Sequence, residues 1–199
     1  MLLYDSRVSG NCYKVRLLFA HLGVQYERRE VDVVDRSDRL ELLGDVNPGL
    51  RVPCVVLDDG RTLGESDAIL FYFASGTPYL PAGKFASAQV LQWMFFEQYS
   101  HEPYIAVLRF WALHPDAAAP SATELAAKRK GGTAALEALE RHLAPREFLV
   151  ADTYTIADIA LYAYTHVAGD AGFDLTAYPH VRAWLARVAA QPGHVPIDA

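Results

Sequence analysis

The stretch NPGLRVPCVVLDDGRTLGES, residues 47–66, determines the fold of the first part of the chain. Its apolar run CVVL leads into Asp59-Gly60, a dipeptide that favours a tight turn, and the short segment TLG follows. This pattern predicts a β-hairpin. Pro53 stands at the start of its first strand, where a residue without an amide hydrogen is tolerated. Ser66 is predicted to be the N-cap of a helix that follows the hairpin.

The segment before this hairpin alternates between strand-like and helix-like patterns. MLLY, residues 1–4, is typical of a short buried strand, and apolar residues at helical spacing predict a helix from Asn11 to His21 that Gly23 ends. YERREVDV, residues 26–33, predicts a second strand, and a short helix is predicted between Asp35 and Asp45. The order β-α-β-α-β-β-α requires parallel pairing in its first unit and antiparallel pairing in its hairpin. We therefore predict a mixed sheet of four strands.

The character of the chain changes after GTPYLPAG, residues 76–83, which interrupts all periodicity and is typical of a linker. Only helical patterns follow it. The sequence thus predicts an α/β domain over residues 1–76 and an all-α helical bundle domain over residues 86–199. The predicted helices of the second domain span about 86–112, 122–143, 156–168 and 179–190.

Two local features of the predicted helical domain indicate how it is built. Gly131 and Gly132 each cost roughly 1 kcal/mol inside a helix, so they predict either close packing of another element or a kink. Thr155 and Asp158 have the spacing of a capping box, in which each side chain satisfies backbone amides of the first helical turn. We interpret that motif as structural.

Composition narrows the classes of function. With 199 residues, 52% of them hydrophobic, and a net charge of −6 without a basic cluster, the chain indicates a globular protein that binds neither nucleic acid nor an anionic membrane. Its two cysteines, Cys12 and Cys54, form no CxxC pair or metal-binding pattern, so no metal is expected and a cytoplasmic location fits. No secretion signal and no membrane-spanning run are predicted.

Five short motifs follow one another along nearly the whole chain: SGNCYKVRL (9–17), NPGLRVPCVVLDDG (47–60), GESDAI (64–69), TIADI (155–159) and YPHVRAWLARV (178–188). In this order they resemble the motifs of the glutathione transferase superfamily. The resemblance implies a thioredoxin-like N-terminal domain, a helical C-terminal domain and a cytoplasmic homodimer.

The resemblance also implies which residues bind glutathione as co-substrate. In the family the proline at Pro53 is cis, and the backbone of the preceding residue, here Val52, pairs with the cysteinyl unit of glutathione. Glu65 and Ser66 match positions that bind the γ-glutamyl end, at a helix start that favours a carboxylate. Arg51 corresponds to a position beside the tripeptide and pairs with its glycyl carboxylate.

The motif SGNCYKVRL matches three patterns of the family at once. Ser9 aligns with the activating serine of the zeta, theta and phi classes, and Cys12 aligns with the cysteine of the bacterial beta class. Asn11 aligns with an asparagine of certain glutathione-dependent disulfide reductases. A thiol with an ordinary pKa near ~8.5 is mostly protonated at neutral pH. One hydrogen bond to the thiolate is worth ~1.5 to 3 kcal/mol, which is enough to change this. We favour Ser9 as the catalytic donor, with Asn11 as a second donor and Cys12 as the alternative.

The second substrate is expected at the first helix of the helical domain. That helix is rich in aromatic residues, most of which are core by default. Tyr99 and Tyr104, near Pro103, are our candidates for the pocket, with His101 and Arg109 as polar neighbours.

These features predict a glutathione transferase that activates the thiol for conjugation to electrophilic small molecules. One alternative is a glutathione-dependent disulfide reductase or peroxidase that uses Asn11 or Cys12. The other is a non-catalytic binding module built on the same fold.

Overall fold

The computed structural model of the protein describes residues 1–117 and 120–199. The chain forms two compact units. The first comprises Met1–Ser75 together with Pro192–Ala199, and the second comprises Gly76–Gln191. The C-terminal segment Pro192–Ala199 therefore belongs to the first unit, although its sequence follows the helices of the second.

The first unit alternates strands and helices in the predicted order. It consists of β1 (Leu2–Asp5), α1 (Gly10–Leu22), β2 (Glu27–Glu30), α2 (Arg39–Leu43), β3 (Cys54–Val56), β4 (Thr62–Gly64) and α3 (Ser66–Ala74).

The strands form a mixed four-stranded sheet with the order β2-β1-β3-β4, as the sequence predicts. β1 pairs with β2 in parallel and with β3 in antiparallel orientation. The predicted hairpin joins β3 to β4, with Cys54 opposite Gly64 and Val56 opposite Thr62. Its turn is closed where the Leu57 amide donates to the Arg61 carbonyl at 2.8 Å.

The two faces of this sheet are covered by different helices, because successive side chains of a strand point to opposite faces. On one face, Leu3 and Val55 pack with Val15 and Phe19 of α1 and Ile69 of α3. Tyr4 of β1 and Cys54 of β3 point to the opposite face. There they pack with Val31, which directly follows β2, and with Leu43 of α2. The first turn of α1 is thereby fixed against the end of β1.

The prediction that Ser66 caps α3 is wrong by one residue. Glu65 is the N-cap, with φ 63° and ψ 115°, and Ser66 is the first helical residue. The turn from β4 into α3 requires a left-handed φ at one residue, and the choice between neighbours depends on how the strand leads into the helix rather than on local propensity.

The second unit consists only of helices. Its elements are α4 (Lys84–Phe96), a π-helical segment (Glu97–His101), α5 (Glu102–Leu113), α6 (Ala122–Leu143), α7 (Ile156–Thr165), two 3₁₀ turns (Ala168–Ala171 and Leu175–Ala177) and α8 (Pro179–Ala189).

The predicted single helix over 86–112 is interrupted in the structure. Between α4 and α5 the backbone widens into the π segment, where the Glu102 amide donates to the Glu97 carbonyl five residues earlier. Pro103 follows immediately and has no amide hydrogen to continue the α-helical pattern. Pro103 was therefore the only sequence signal near this interruption, and the π segment itself was not predicted.

The two glycines of α6 mark close packing rather than a kink. α6 runs without a break through both of them. A methyl group at Gly131 would lie 2.2 Å from the Tyr104 ring, and one at Gly132 would lie 2.3 Å from the Phe173 ring. Any larger side chain would therefore displace these rings.

α7 is the central helix of the second unit. All of its residues are buried, which is the pattern of a helix surrounded by other elements. In the part of the chain that the structure describes, no helix is both long and apolar enough to span a membrane.

Candidate functional site

The first turn of α1 carries the three residues that the sequence singles out. Ser9 is the N-cap, with extended backbone angles of φ −80° and ψ 123°, and its Oγ accepts the Cys12 amide at 3.3 Å. Ser9 is half-buried, and no acidic residue lies in the first turn. The Ser9 hydroxyl also hydrogen-bonds the Cys12 side chain, which partly opposes the rise in the pKa of that thiol. The hydroxyl is therefore anchored as an acceptor by the Cys12 amide, and it lies where it can donate to a sulfur atom.

Cys12 is held in the protein interior. Its side chain is fully buried, and its Sγ accepts the Ser6 amide at 3.3 Å. Burial, reinforced by the nearby Asp5 carboxylate, raises the pKa of the Cys12 thiol far above its ordinary value. Such a thiol stays protonated at neutral pH. The structure therefore does not favour Cys12 as the reactive group.

Asn11 and Cys54 differ in their surroundings. Asn11 is half-buried on the same helical turn as Ser9. Cys54 lies in β3 and is fully buried, and burial raises the pKa of its thiol to about 11. It is a core residue.

The loop before β3 presents a backbone edge. The Val52-Pro53 peptide bond is cis, as the resemblance implies. Val52 is half-buried, Pro53 is buried and Arg51 is exposed. Within residues 1–117 and 120–199, neither backbone group of Val52 has a hydrogen-bond partner. An extended peptide could therefore pair with Val52 as an added strand would.

Two residues that sequence analysis missed shape this loop. The Asn47 amide group donates to the Arg51 carbonyl at 2.8 Å and accepts the Gly49 amide at 3.0 Å. The buried Arg39 donates to the Leu50 carbonyl at 2.9 Å. The Asn-Pro-Gly sequence could have indicated the role of Asn47, whereas a single Arg in a polar segment gives no indication of the role of Arg39.

The start of α3 forms the other side of the candidate site. Glu65 is exposed, with a left-handed φ of 63° that a non-glycine residue adopts at a cost of roughly 1–3 kcal/mol. Backbone strain of this kind concentrates at functional sites. Ser66 is buried next to it, and the free amides of the first helical turn favour an anion there.

Lys14 connects α1 to this helix start, and sequence analysis did not find it. Its fully buried ammonium group donates to the Ser66 Oγ at 3.3 Å and forms an ion pair with Asp67 at 3.1 Å. The cation adds to the positive end of the α3 dipole. A lysine among apolar residues of α1 was the available signal.

The two aromatic candidates for the second substrate differ in environment. The Tyr99 side chain on the π segment is 83% exposed. Tyr104 is half-buried, with its ring against Gly131 and 5.5 Å from the Lys128 ammonium. Tyr104 is thus held in one position, whereas Tyr99 faces solvent.

Their polar neighbours are also engaged. His101 is fully buried and hydrogen-bonds Thr165 at 2.9 Å, and Arg109 forms an ion pair with Asp170 at 3.0 Å. His101 is therefore not an exposed general base. No group of three or more potential metal ligands occurs among the residues that the structure describes.

Comparison with known proteins gives the family. The family model "Glutathione S-transferase, N-terminal domain" matches residues 8–75, and "Glutathione S-transferase, C-terminal domain" matches residues 91–192. A crystal structure of a glutathione S-transferase from Pseudomonas fluorescens Pf-5 is 46% identical, covers 98% of both chains and has a TM-score of 0.94.

Two further relatives are more distant. Glutathione S-transferase 3 of Zea mays is 31% identical over 96% of this chain and 89% of its own length. The transcriptional regulator URE2 of Saccharomyces cerevisiae is 26% identical over 96% of this chain and 65% of its own length. A structure of Ure2p in complex with glutathione has a TM-score of 0.84 at 24% identity, covering 96% of this chain and 90% of that one, and this likeness concerns the fold. With both family models matched in order and the Zea mays relative aligned over nearly the whole chain, this protein belongs to the glutathione S-transferase superfamily.

Proposed function

We propose that the protein is a glutathione transferase that binds glutathione, stabilises its thiolate and transfers it to an electrophilic small molecule. The observation that carries the proposal is the Ser9 hydroxyl at the start of α1. Its oxygen is anchored by the Cys12 amide, and no acidic residue lies in the first turn to take its hydrogen. A hydroxyl of this kind can donate a hydrogen bond to an anionic sulfur.

The proposed binding mode uses the two edges that flank α1. The backbone of Val52 pairs with the cysteinyl unit of glutathione. Ser66 and the first amides of α3 bind the γ-glutamyl carboxylate, and Lys14, which is paired with Asp67, holds the Ser66 hydroxyl in place. Glu65, which is exposed, binds the γ-glutamyl ammonium, and Arg51, also exposed, pairs with the glycyl carboxylate.

The Ser9 hydroxyl then donates to the sulfur and favours its deprotonated state. One hydrogen bond to a charged group contributes ~1.5 to 3 kcal/mol, and the helix N-terminus adds roughly 0.3 to 1 kcal/mol. Together they lower the pKa of the thiol by about two units. The thiol proton leaves to solvent.

The reaction forms a new carbon–sulfur bond. The sulfur lone pair attacks an electron-poor carbon, and that carbon either expels a leaving group with its bonding electrons or passes a π pair to an atom that is then protonated. Ser9 remains neutral throughout. Asn11, half-buried on the same turn, is proposed as a second donor, and Tyr104, fixed against Gly131, as a contact for the electrophile.

The proposal extends to the state of the protein. We propose a homodimer on the basis of membership in the glutathione S-transferase superfamily. The net charge of −6 disfavours nucleic acid as a partner. We propose a cytoplasmic location on the basis of the two free cysteines.

The test is spectrophotometric titration of the thiolate band of bound glutathione in the wild type, Ser9→Ala and Cys12→Ala. For the wild type we expect an apparent pKa near ~6.5, two units below ~8.5, and for Ser9→Ala a return toward ~8.5. At pH 6.5, turnover with a chloronitrobenzene should then fall by roughly 50-fold, because the thiolate fraction falls by that factor. Cys12→Ala should titrate as the wild type does.

Other outcomes would select the rival functions. If Cys12→Ala abolishes the thiolate band while Ser9→Ala leaves it intact, the Ser9 mechanism is wrong. Reduction of a mixed disulfide that exceeds conjugation would identify a disulfide reductase. Absence of glutathione binding in calorimetry would favour a non-catalytic module.

A further inference from the structure

The turn that precedes Ser9 has no regular structure, yet the backbone amides and carbonyls of Ser6 and Arg7 are hydrogen-bonded. The Ser6 amide donates to the Cys12 sulfur, and the Arg7 amide donates to the Glu30 carboxylate at 2.8 Å. The Ser6 carbonyl accepts the Ser9 amide at 3.0 Å. The position of Ser9 is therefore set by the groups that hold residues 6 and 7.

Arg16 supplies the remaining bonds to this turn. Its Nη1 donates to the Ser6 carbonyl at 3.3 Å, and its Nη2 donates to the Arg7 carbonyl at 3.1 Å. The guanidinium group is 3% exposed, and its charge is balanced by Asp5, whose carboxylate lies 2.6 Å from Nη1. A planar fork with several donors is suited to hold two successive carbonyls, which a lysine cannot do.

Arg16 also binds the C-terminal segment Pro192–Ala199. Its Nη2 donates to the Ile197 carbonyl as well as to the Arg7 carbonyl. The same segment accepts the Tyr13 hydroxyl at the Val195 carbonyl, 2.7 Å away. Arg16 thus joins two pieces of irregular backbone, one of which carries Ser9.

Arg28 offers a structural counterpart to Arg16. Its Nε lies 2.6 Å from the other oxygen of Asp5, and it donates to the Ala199 carbonyl at 3.0 Å. It also pairs with Glu30 at 3.0 Å. Arg28 therefore shares the Asp5 ion pair and the C-terminal contact, but its bonds do not reach the carbonyls of Ser6 and Arg7.

We propose that Arg16 is a positioning residue that holds the Ser6–Ser9 turn so that the Ser9 hydroxyl is aimed at the sulfur of the bound thiol. This inference rests on the proposed function. Hydrogen bonds weaken steeply with distance and angle, and functional groups must be held to within about 0.5 Å of their productive geometry. Without the Arg16 guanidinium group the Ser6–Ser9 turn would be held less firmly. The Ser9 hydroxyl would still be present, but its hydrogen bond to the sulfur would be weaker.

The experiment compares Arg16→Lys with the matched variant Arg28→Lys in the full-length protein. Both variants keep the positive charge and weaken a pair with Asp5. A lysine at position 28 can still pair with Glu30, and only Arg16→Lys loses direct bonds to the Ser6 and Arg7 carbonyls. We expect Arg16→Lys to raise the apparent pKa of bound glutathione by about half a unit, a roughly threefold loss of thiolate below that pKa. Arg28→Lys should titrate as the wild type does, with a comparable loss of melting temperature.

The Ser9→Ala background separates positioning from a direct electrostatic effect. If Arg16 acts through Ser9, Arg16→Lys should have no further effect on the thiolate once the hydroxyl is gone. An equal effect in both backgrounds, or equal titrations of Arg16→Lys and Arg28→Lys, would overturn the proposal.

A second variant covers the case in which Arg16→Lys does not fold. Glu30 is exposed, and Glu30→Ala removes the acceptor of the Arg7 amide without opening the interior. A raised pKa of the bound thiol in Glu30→Ala supports positioning through this turn, and an unchanged one contradicts it. Failure of the proposed function itself would be recognised separately, because the wild type would then show no thiolate band.

Discussion

The N-termini of α1 and α7 use the same local device with opposite results. Each begins with a hydroxyl residue, Ser9 or Thr155, whose oxygen accepts an amide of the first turn. In α7 the residue three positions later is Asp158, whose carboxylate accepts both the amide and the hydroxyl of Thr155, at 2.9 and 3.2 Å. In α1 the corresponding residue is Cys12, which offers no carboxylate.

The residue three positions after the N-cap therefore decides whether the N-cap hydroxyl donates to a carboxylate of its own helix. A third helix supports this rule, because the Ser121 hydroxyl at the start of α6 donates to Glu124 at 2.7 Å. The two closed capping boxes bind both the oxygen and the hydrogen of the cap hydroxyl, whereas the first turn of α1 has no carboxylate that could do so. We propose that this difference separates a structural hydroxyl from a functional one at positions that look alike in the sequence.

Asp158 should have the largest effect on stability of any of these residues. Its buried carboxylate also accepts the Leu149 amide at 3.0 Å and the Trp184 indole at 2.9 Å. Asp158→Ala leaves several buried donors without an acceptor, at about 1–3 kcal/mol each, so we expect a loss of about 3–5 kcal/mol in the free energy of unfolding. Urea denaturation measures it. A loss below about 1 kcal/mol would show that α7 does not depend on its capping box.

The protonation of Asp158 should make the closed box sensitive to pH. Burial raises the pKa of its carboxyl from 3.8 to about 6, despite four hydrogen bonds that oppose the shift. The folded state then binds the proton more tightly than the unfolded state, so this contribution to stability increases as the pH falls through 6 toward 4. Between pH 7 and pH 5 the wild type should gain about 1 kcal/mol relative to Asp158→Asn. If the free energies of unfolding of the wild type and of Asp158→Asn change in parallel with pH, or if the wild type gains nothing as the pH falls, the raised pKa of Asp158 is contradicted.

The smallest effects on stability are expected at the N-caps Ser121 and Ser9, and comparing these two variants tests whether the Ser9 hydroxyl is functional rather than structural. Ser121→Ala removes an exposed cap and should lower the melting temperature by only about 2 °C, with no change in the thiolate band. Ser9→Ala should be similarly mild in calorimetric melting, although it is the variant expected to lose activity. If Ser9→Ala instead unfolds the protein, its hydroxyl is structural and the two helix starts do not differ in kind.

The fold was predictable because its signals are local. The Asp59-Gly60 turn and its flanking apolar segments specify the hairpin, and the continuous apolar runs of β1 and β3 are typical of strands that are buried on both faces. Gly131 and Gly132 indicate close approach, since a helix tolerates glycine only where packing requires it. The spacing of Thr155 and Asp158 specifies the capping box by itself.

The candidate site was predictable only in part. The sequence identifies Ser9, Asn11 and Cys12 as alternatives, and the buried position of Cys12 is what separates them. Lys14 gave only the weak signal of a lysine among apolar residues and Arg16 gave none, because a charged residue on a helix is normally exposed to solvent. Their burial follows from partners, Asp67 and Asp5, that lie far from them along the chain.

The sequence by itself determined the order of the elements in the first unit, the mixed sheet, the capping box of α7 and the family, because each depends on residues within a few positions of one another or on matched motifs. Tertiary structure alone decided that Glu65 rather than Ser66 is the N-cap of α3 and that Pro192–Ala199 packs with the first unit. It also decided that Arg16 holds the turn beneath Ser9. These outcomes depend on desolvation and on hydrogen bonds between distant segments, and such interactions exist only once the chain has folded.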